Sequence, residues 1–189
     1  MTETFKSDFE EARQVLEQFI NSDINFKNLE GAGKILTAAI KSGNKIISCG
    51  NGGSMCDAMH FAEELSGRFR DDRPAMPAIA ISDASHLTCA ANDYGFESVF
   101  SRFIEGVGFN GDVLFAISTS GNSSNVVKAA LKAKEKKMKV IALTGKDGGK
   151  LAGIADIEIR APFSKYSDRT QEIHIKIIHS LINYIEKNI

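Results

Sequence analysis

The chain has 189 residues, with 23 basic and 24 acidic side chains and a formal net charge of −1. This length suits one domain with a sizeable core, and the balanced charge argues against nucleic acid or a membrane surface as the main ligand. We expect one domain over 1–189, in which 1–43 form N-terminal helices that contribute to an oligomer and 44–189 form the core and a C-terminal helix. An anionic ligand must then be held by a local site.

The sequence also carries signals about its compartment. Its first residues lack the basic and apolar regions of a signal peptide, and no apolar run approaches the ~20 residues of a membrane span. Cys49, Cys56 and Cys89 are odd in number and lack paired metal-ligand spacing. These features predict a cytoplasmic protein with reduced thiols, in which Cys49 and Cys56 are small core residues.

The predicted elements begin with two apolar stripes at helical spacing, from Phe5 to Ile20 and from Leu29 to Ile40, the second ending before Gly43. Short apolar runs then alternate with helical patterns. This alternation predicts a three-layer α/β/α sandwich around a parallel sheet. The predicted strands span 45–49, 78–81, 112–117, 139–143 and 156–159. A last helix, from about 168 to 189, is apolar on most sides, which predicts burial within the domain or in an oligomer.

Two turns after predicted strands have chemistry suited to a phosphate. Residues 50–54 form a glycine turn, and residues 118–123 form a serine turn with four hydroxyl groups. Each precedes a helix, whose first amides are unpaired, and ligands collect at the carboxyl ends of parallel strands. The alternative is that Ser123 or Ser124 only caps the following helix. Neither turn has a Walker or GxGxxG pattern, so a sugar phosphate is favoured over a nucleotide. The turn at 144–149 is interpreted as a strand-to-helix connection.

Polar side chains on two helices are further candidates. His60 and Glu64 are four residues apart and share a helix face, which we expect to point toward the strand ends. Such a pair can bind a divalent metal or transfer protons, or it can be a solvated ion pair; spacing leaves both open. Glu63 is expected to point elsewhere.

The last helix places His179 among apolar residues, where an imidazole needs a partner. Periodicity aligns His179 with Glu172 better than with Gln171, but helix geometry does not choose its neighbour. His86 and His174 are interpreted as structural. Asn92 and Asp93 precede Tyr94-Gly95 and are interpreted as a turn, and Arg68 is a candidate partner for a phosphate or a carboxylate.

Five motifs, in order along nearly the whole chain, resemble the phosphoheptose isomerase family of the sugar isomerase (SIS) domain superfamily. They are CGNGGS at 49–54, DAMHFAEEL at 57–65, ISTSGNS at 117–123, LTGKDGG at 143–149 and QEIH at 171–174. The resemblance implies an SIS fold and conversion of D-sedoheptulose 7-phosphate to D-glycero-D-manno-heptose 7-phosphate, on the ADP-heptose route to lipopolysaccharide core. It also implies a cytoplasmic homotetramer with one zinc ion per subunit.

The resemblance further implies roles for individual residues. Glu64 and His179 correspond to the family's proposed acid–base pair. The implied zinc ligands are His60, Glu64, Gln171 and His179. The implied substrate contacts are Asn51, Gly52, Gly53, Ser54, Glu64, Asn92, Asp93, Ser118, Thr119, Ser120, Ser123 and Gln171.

Other members of the superfamily define the competing hypotheses. Some are sugar-phosphate sensors in transcription regulators, one close relative of the family binds the replication initiator, and others isomerise five- or six-carbon sugar phosphates. A regulator usually has an added DNA-binding domain, for which this chain has no spare length. The presence of both Glu64 and His179 favours an enzyme over the initiator-binding branch.

Overall fold

The computed structural model describes residues 2–189 and begins with two long helices, α1 (Thr2–Ile20) and α2 (Asp23–Lys41). These are the two helices that the N-terminal stripes predict. Ser42 caps the C-terminus of α2, and Gly43 follows with a φ of +78°, a conformation that glycine adopts without steric cost.

A sheet of five parallel strands forms the centre of the molecule. The strands are β1 (Ile46–Cys49), β2 (Ala78–Ala80), β3 (Val113–Ile117), β4 (Lys139–Thr144) and β5 (Ile157–Arg160). Their order across the sheet is β2-β1-β3-β4-β5, and every neighbouring pair is parallel. The predicted sheet is therefore confirmed, with strand ends shifted by a residue or so.

Six further α-helices alternate with the strands along the chain, at least one after each strand. They are α3 (Gly53–Ser66), α4 (Ala84–Tyr94), α5 (Val99–Val107), α6 (Ser124–Glu135), α7 (Gly149–Ala152) and α8 (Ser167–Asn188). The prediction that Asn92 and Asp93 form a turn is wrong, because both lie in the last turn of α4. Gly95, whose φ is +83°, caps the helix after Tyr94. At the other end of α4, the Asp83 carboxylate accepts a hydrogen bond from the His86 amide and caps the helix.

Side chains of the buried strands alternate between two hydrophobic cores. In β3, Val113 and Phe115 face a core shared with α1, α2, α3 and α8, whereas Leu114 and Ala116 face a core shared with α4, α5 and α6. This period of two produces the three-layer α/β/α arrangement that the sequence predicts.

Helix α8 lies within the first core. Its buried apolar residues are Ile173, Ile177, Ile178, Leu181, Ile182 and Ile185. Of the two explanations that the sequence allows for this apolar helix, the structure shows burial within the chain itself.

The three cysteines differ in their exposure to solvent. Cys49 is buried, and burial raises the pKa of its thiol to about 12, but Cys56 and Cys89 are exposed. The assignment of Cys56 to the core is therefore wrong, because its side chain is exposed on α3.

Across residues 2–189, none of the helices combines the length and apolar character needed to cross a bilayer.

The strand order creates a switch point between β1 and β3. From β1 the chain crosses to β2 at one edge, and from β3 it crosses to β4 on the other side. The connections that leave these two neighbouring strands therefore diverge, and a crevice opens at their carboxyl ends. The glycine turn follows β1 and the serine turn follows β3, so both lie at this crevice.

Candidate active site

The glycine turn and the serine turn segment are joined by a pair of side-chain amides. Asn51 Nδ2 donates to Asn125 Oδ1 at 2.9 Å, and Asn125 Nδ2 donates back to Asn51 Oδ1 at 2.8 Å. Asn125 is buried in the first turn of α6. The two predicted phosphate-binding turns thus form one continuous edge of the crevice.

The glycine turn allows α8 to approach the start of α3. Gly52 has a φ of +55°, and a β-carbon built on Gly53 would lie 2.6 Å from Gln171 Oε1. A larger residue at Gly53 would therefore displace the Gln171 amide. This contact places Gln171 beside the first backbone amides of α3, within the candidate substrate site.

In the serine turn the hydroxyl groups face one another and the backbone. Ser118 Oγ lies 3.0 Å from Ser123 Oγ, and Ser120 Oγ accepts a hydrogen bond from the Asn122 amide at 3.1 Å. Ser123 precedes α6 but its hydroxyl makes no capping hydrogen bond. The capping explanation therefore does not account for Ser123, and its hydroxyl stays at the crevice.

The turn at 144–149 packs against the backbone of the serine turn. A β-carbon on Gly121, whose φ is +64°, would lie 1.9 Å from the Gly148 carbonyl oxygen. The Leu151 amide also donates to the Gly121 carbonyl at 3.0 Å. This region connects β4 to α7, as predicted, and it fixes the backbone of the serine turn.

A second cluster lies farther along α3, where this helix packs on α8. His60 Nε2 is 2.9 Å from His179 Nε2 and 3.6 Å from Glu64 Oε1. The Phe69 ring lies beside His179, with their centroids 5.6 Å apart. The structure thus brings together both members of the candidate acid–base pair and three of the four candidate metal ligands.

Gln171 is not part of this cluster within one chain. It precedes His179 by eight residues on α8, a rise of about 12 Å. Gln171 lies at Gly53, whereas His179 lies at His60, so α3 and α8 run in the same direction. His60 lies about two helical turns, ~10 Å, beyond Gly53 along α3, so the second cluster is separate from the contact between Gly53 and Gln171.

Comparisons with known proteins identify the family. The SIS domain family matches residues 9–145. The phosphoheptose isomerase of Vibrio cholerae is 59% identical over 182 residues, which cover 96% of this chain and 95% of that protein. The phosphoheptose isomerase of Haemophilus ducreyi is 60% identical over 184 residues, 97% of this chain and 95% of the relative.

A solved structure agrees with these relatives in sequence and in fold. The phosphoheptose isomerase of Neisseria gonorrhoeae is 38% identical, with a TM-score of 0.92 over 98% of both chains. This chain belongs to the phosphoheptose isomerase family of SIS domain proteins. It is an isomerase with the three-layer fold of that family.

In this member of the phosphoheptose isomerase family, the donor atoms at the second cluster suit a divalent metal. One ligand atom from each of His60, Glu63 and Glu64 lies within 4.8 Å of the others, and His179 Nε2 approaches from α8. Neutral imidazole nitrogens and carboxylate oxygens are donors that zinc accepts. The residues present therefore fit a metal ion.

Glu63 and Asp57 are two residues of this site that the sequence interpretation missed. Glu63 does not point elsewhere: its Oε2 lies 3.2 Å from His60 Nδ1. Asp57 lies one turn before His60 on α3, its Oδ2 is buried without a hydrogen-bond partner, and burial raises its pKa to about 6. The spacing 57, 60, 64 marks one helix face and is the signal that would have found Asp57.

The surroundings of His179 favour its neutral form. Burial lowers the pKa of His179, the neighbouring His60 acts in the same direction, and Glu64 opposes both. Glu172, the helical-wheel alternative, instead bonds to the Arg169 guanidinium at 2.7 Å. The neighbour of His179 is therefore His60, on another helix.

Other candidates lie outside both clusters. Asn92 and Asp93 are exposed and bond to each other, and among residues 2–189 no hydrogen bond links them to either turn. Arg68 is exposed and makes no ion pair within the described chain. His86 and His174 bond to backbone carbonyls, and burial lowers the pKa of His174 to about 4, which agrees with structural roles.

Proposed function

We propose that this chain converts D-sedoheptulose 7-phosphate to D-glycero-D-manno-heptose 7-phosphate, a step toward the ADP-heptose of lipopolysaccharide core. The observation that carries the proposal is the meeting of Glu64 and His179 beside His60 in a chain about 60% identical to phosphoheptose isomerases. A base and an acid on facing helices are what an aldose–ketose interconversion requires.

The phosphate end of the substrate is assigned to the crevice between β1 and β3. The main contacts there are the hydroxyl groups of the serine turn and the backbone of the glycine turn, at the N-terminal ends of α6 and α3. The full proposed contact set is Asn51, Gly52, Gly53, Ser54, Ser118, Thr119, Ser120, Ser123 and Gln171, with Asn92 and Asp93 reaching the sugar. No cationic loop is needed, because backbone amides and hydroxyls are sufficient donors for a phosphate.

Proton transfer is assigned to the second cluster. Glu64 removes the proton from one of the two reacting carbons and returns it to the other, through an enediol-type intermediate. His179 donates a proton to, and recovers it from, the substrate oxygen. Zinc held by His60, Glu64, Gln171 and His179 would supply polarisation of the substrate oxygens. A carboxylate bound tightly to zinc is a weaker base, so Glu64 performs one of these tasks at a time.

The four proposed ligands require a second copy of the chain. Gln171 packs against Gly53, about 12 Å from His179 along α8, so we infer that the Gln171 that completes each site comes from another subunit. We therefore assign His60, Glu64 and His179 to one subunit and Gln171 to its neighbour, with one zinc per subunit in a homotetramer. This arrangement makes the subunit interface part of the active site.

Helix α1 and its groove support an oligomer. Phe5 and Phe9 are 65% and 79% exposed, although each is large and apolar. Beside Phe9, a groove of about 670 Å³ separates α1 from α8. We assign the N-terminal helices to the interface of a cytoplasmic tetramer, and a monomeric mass by light scattering at micromolar concentration would contradict this.

The test of the reaction is direct. Purified chain loaded with zinc is mixed with sedoheptulose 7-phosphate, and the aldoheptose phosphate is measured by NMR. Sedoheptulose without phosphate at the same concentration is the control, and we expect its turnover to be lower by at least ~10²-fold, because the phosphate contributes binding energy to the transition state. Five- and six-carbon ketose phosphates test chain length. No conversion of the seven-carbon phosphate would contradict the proposal.

A further inference from the structure

We propose that Glu63 is a positioning residue that fixes the tautomer of His60 and so prepares His60 Nε2 to bind a metal. The proposal rests on the metal site proposed above and extends it to a residue outside the ligand set. Its basis is the 3.2 Å distance between Glu63 Oε2 and His60 Nδ1, on consecutive turns of α3.

The two nitrogens of the His60 imidazole have different partners. A neutral ring carries one N–H, and an ionised carboxylate only accepts hydrogen bonds. Glu63 therefore favours the tautomer in which Nδ1 carries the proton and donates it to Oε2. The lone pair of Nε2 then faces Glu64 Oε1 and His179 Nε2, at 3.6 Å and 2.9 Å. Metal-binding histidines are commonly oriented by such a carboxylate.

The competing tautomer of His60 carries its proton on Nε2, where two acceptors lie nearby. A proton on His60 Nε2 can be donated to Glu64 Oε1 or to the lone pair of His179 Nε2. Either bond places a hydrogen where a metal would bind. The role of Glu63 is thus to keep the proton off His60 Nε2, so that the lone pair of this nitrogen is available to a metal.

The position of Glu63 separates this role from direct metal binding and from fold stability. Its carboxylate contacts His60 Nδ1, whereas Glu64 and His179 face the other ring nitrogen, Nε2. Its side chain is 65% exposed, so it contributes little to the core. It also lies in the last turn of α3, where a negative charge is unfavourable to the helix dipole. Removing this charge should therefore not lower the melting temperature.

The first experiment measures zinc affinity by chelator competition at pH 8, where imidazole is mostly neutral. We expect Glu63→Ala to weaken zinc binding by about 10-fold, the low end of the range for such partners, and Glu63→Gln by less, since its amide oxygen still accepts a hydrogen bond. Glu135→Gln is the matched control, because Glu135 is an exposed glutamate that pairs with Lys132 three residues away on another helix. An affinity for Glu63→Ala within twofold of this control would overturn the proposal.

The second experiment observes the tautomer in metal-free protein by ¹⁵N NMR of the imidazole nitrogens. Wild type should carry the His60 proton on Nδ1, and Glu63→Ala should shift it toward Nε2. A proton on Nε2 in wild type would overturn the proposal. A Glu63-dependent tautomer in a wild type that binds no zinc would instead contradict the proposed metal site and leave the orientation of His60 by Glu63 standing.

Cobalt distinguishes positioning from ligation. The visible spectrum of the Co²⁺-loaded protein reports the number and type of metal ligands. The spectrum should be the same for wild type and Glu63→Gln once both are saturated. A change in band position or intensity would make Glu63 a ligand and would refute its assignment as a positioning residue.

Discussion

Asp57 illustrates how a single residue of the site lowers the stability of the free protein. Its Oδ2 is buried without a partner, and burial raises its pKa to about 6 from an ordinary 3.8. The native state therefore holds the Asp57 proton more tightly than the unfolded chain does. Its favourable contribution is fully present below about pH 4 and is lost as the pH rises through about 6. Above pH 6 the native protein carries a partly buried, unpaired charge.

Replacing Asp57 by asparagine should stabilise the protein in a pH-dependent way. Asp57→Asn removes the charge and keeps the size, so we expect a gain of roughly 1 kcal/mol at pH 8, allowing for the solvent exposure of the group, and a smaller change at pH 5. Urea unfolding at both pH values measures this difference. Asp71→Asn, in the exposed loop after α3, is the control. The same change for Asp57→Asn at both pH values would show that its ionisation is not the cause.

At the scale of elements, the second cluster depends on how α3 and α8 are held together. Arg73, in the loop after α3, donates to the carbonyl oxygens of Glu64 and Leu65 at 2.7 and 2.8 Å, and to Glu186 Oε1 on α8 at 3.0 Å. The first two bonds satisfy carbonyls at the end of α3 that have no partner within the helix. The Arg73 and Glu186 side chains are only 12% and 7% exposed. One guanidinium thus joins the two helices that carry Glu64 and His179.

Removing this guanidinium should destabilise the fold. We expect Arg73→Ala to lower the free energy of unfolding by about 3 kcal/mol, because it leaves the Glu186 carboxylate buried and unpaired. Arg73→Lys should lose less. Arg102→Ala, which breaks an exposed ion pair with Glu105, should change stability by no more than ~0.5 kcal/mol. If urea unfolding gave the same value for Arg73→Ala and Arg102→Ala, the joining role of Arg73 would be refuted.

At the scale of the whole molecule, the sequence predicts those features that depend on local residue patterns. The five strands follow from short apolar runs, and the crevice follows from turn chemistry after β1 and β3. Helices α4 and α5 are short, at 11 and 9 residues, and the sequence patterns predict neither of them; only the Asn92-Asp93 pair is interpreted, as a turn. The Asp83 cap and Gly95 stop of α4 were the available signals.

The arrangement of the site depends on packing between helices, which periodicity does not determine. A helical wheel compares positions around one axis, so it pairs His179 with Glu172, whereas its observed neighbour is His60 on α3. The sequence shows that Glu63 and His60 are three residues apart on one helix. Only the structure shows that Glu63 faces His60 Nδ1 while His179 and Glu64 face His60 Nε2. Family resemblance supplied the set of four ligands, and the structure separates Gln171 from the rest.

Glu64→Gln tests whether Glu64 moves the proton between C1 and C2 of the substrate. This variant keeps the size of the side chain but removes its charge and basicity. We measure zinc per subunit by elemental analysis, and deuterium incorporation at C1 and C2 of the sugar phosphate by NMR in D₂O. We expect exchange at least ~10²-fold slower than in wild type, in a protein that retains most of its zinc and still binds substrate. Near-normal isomerisation by Glu64→Gln would contradict this role of Glu64.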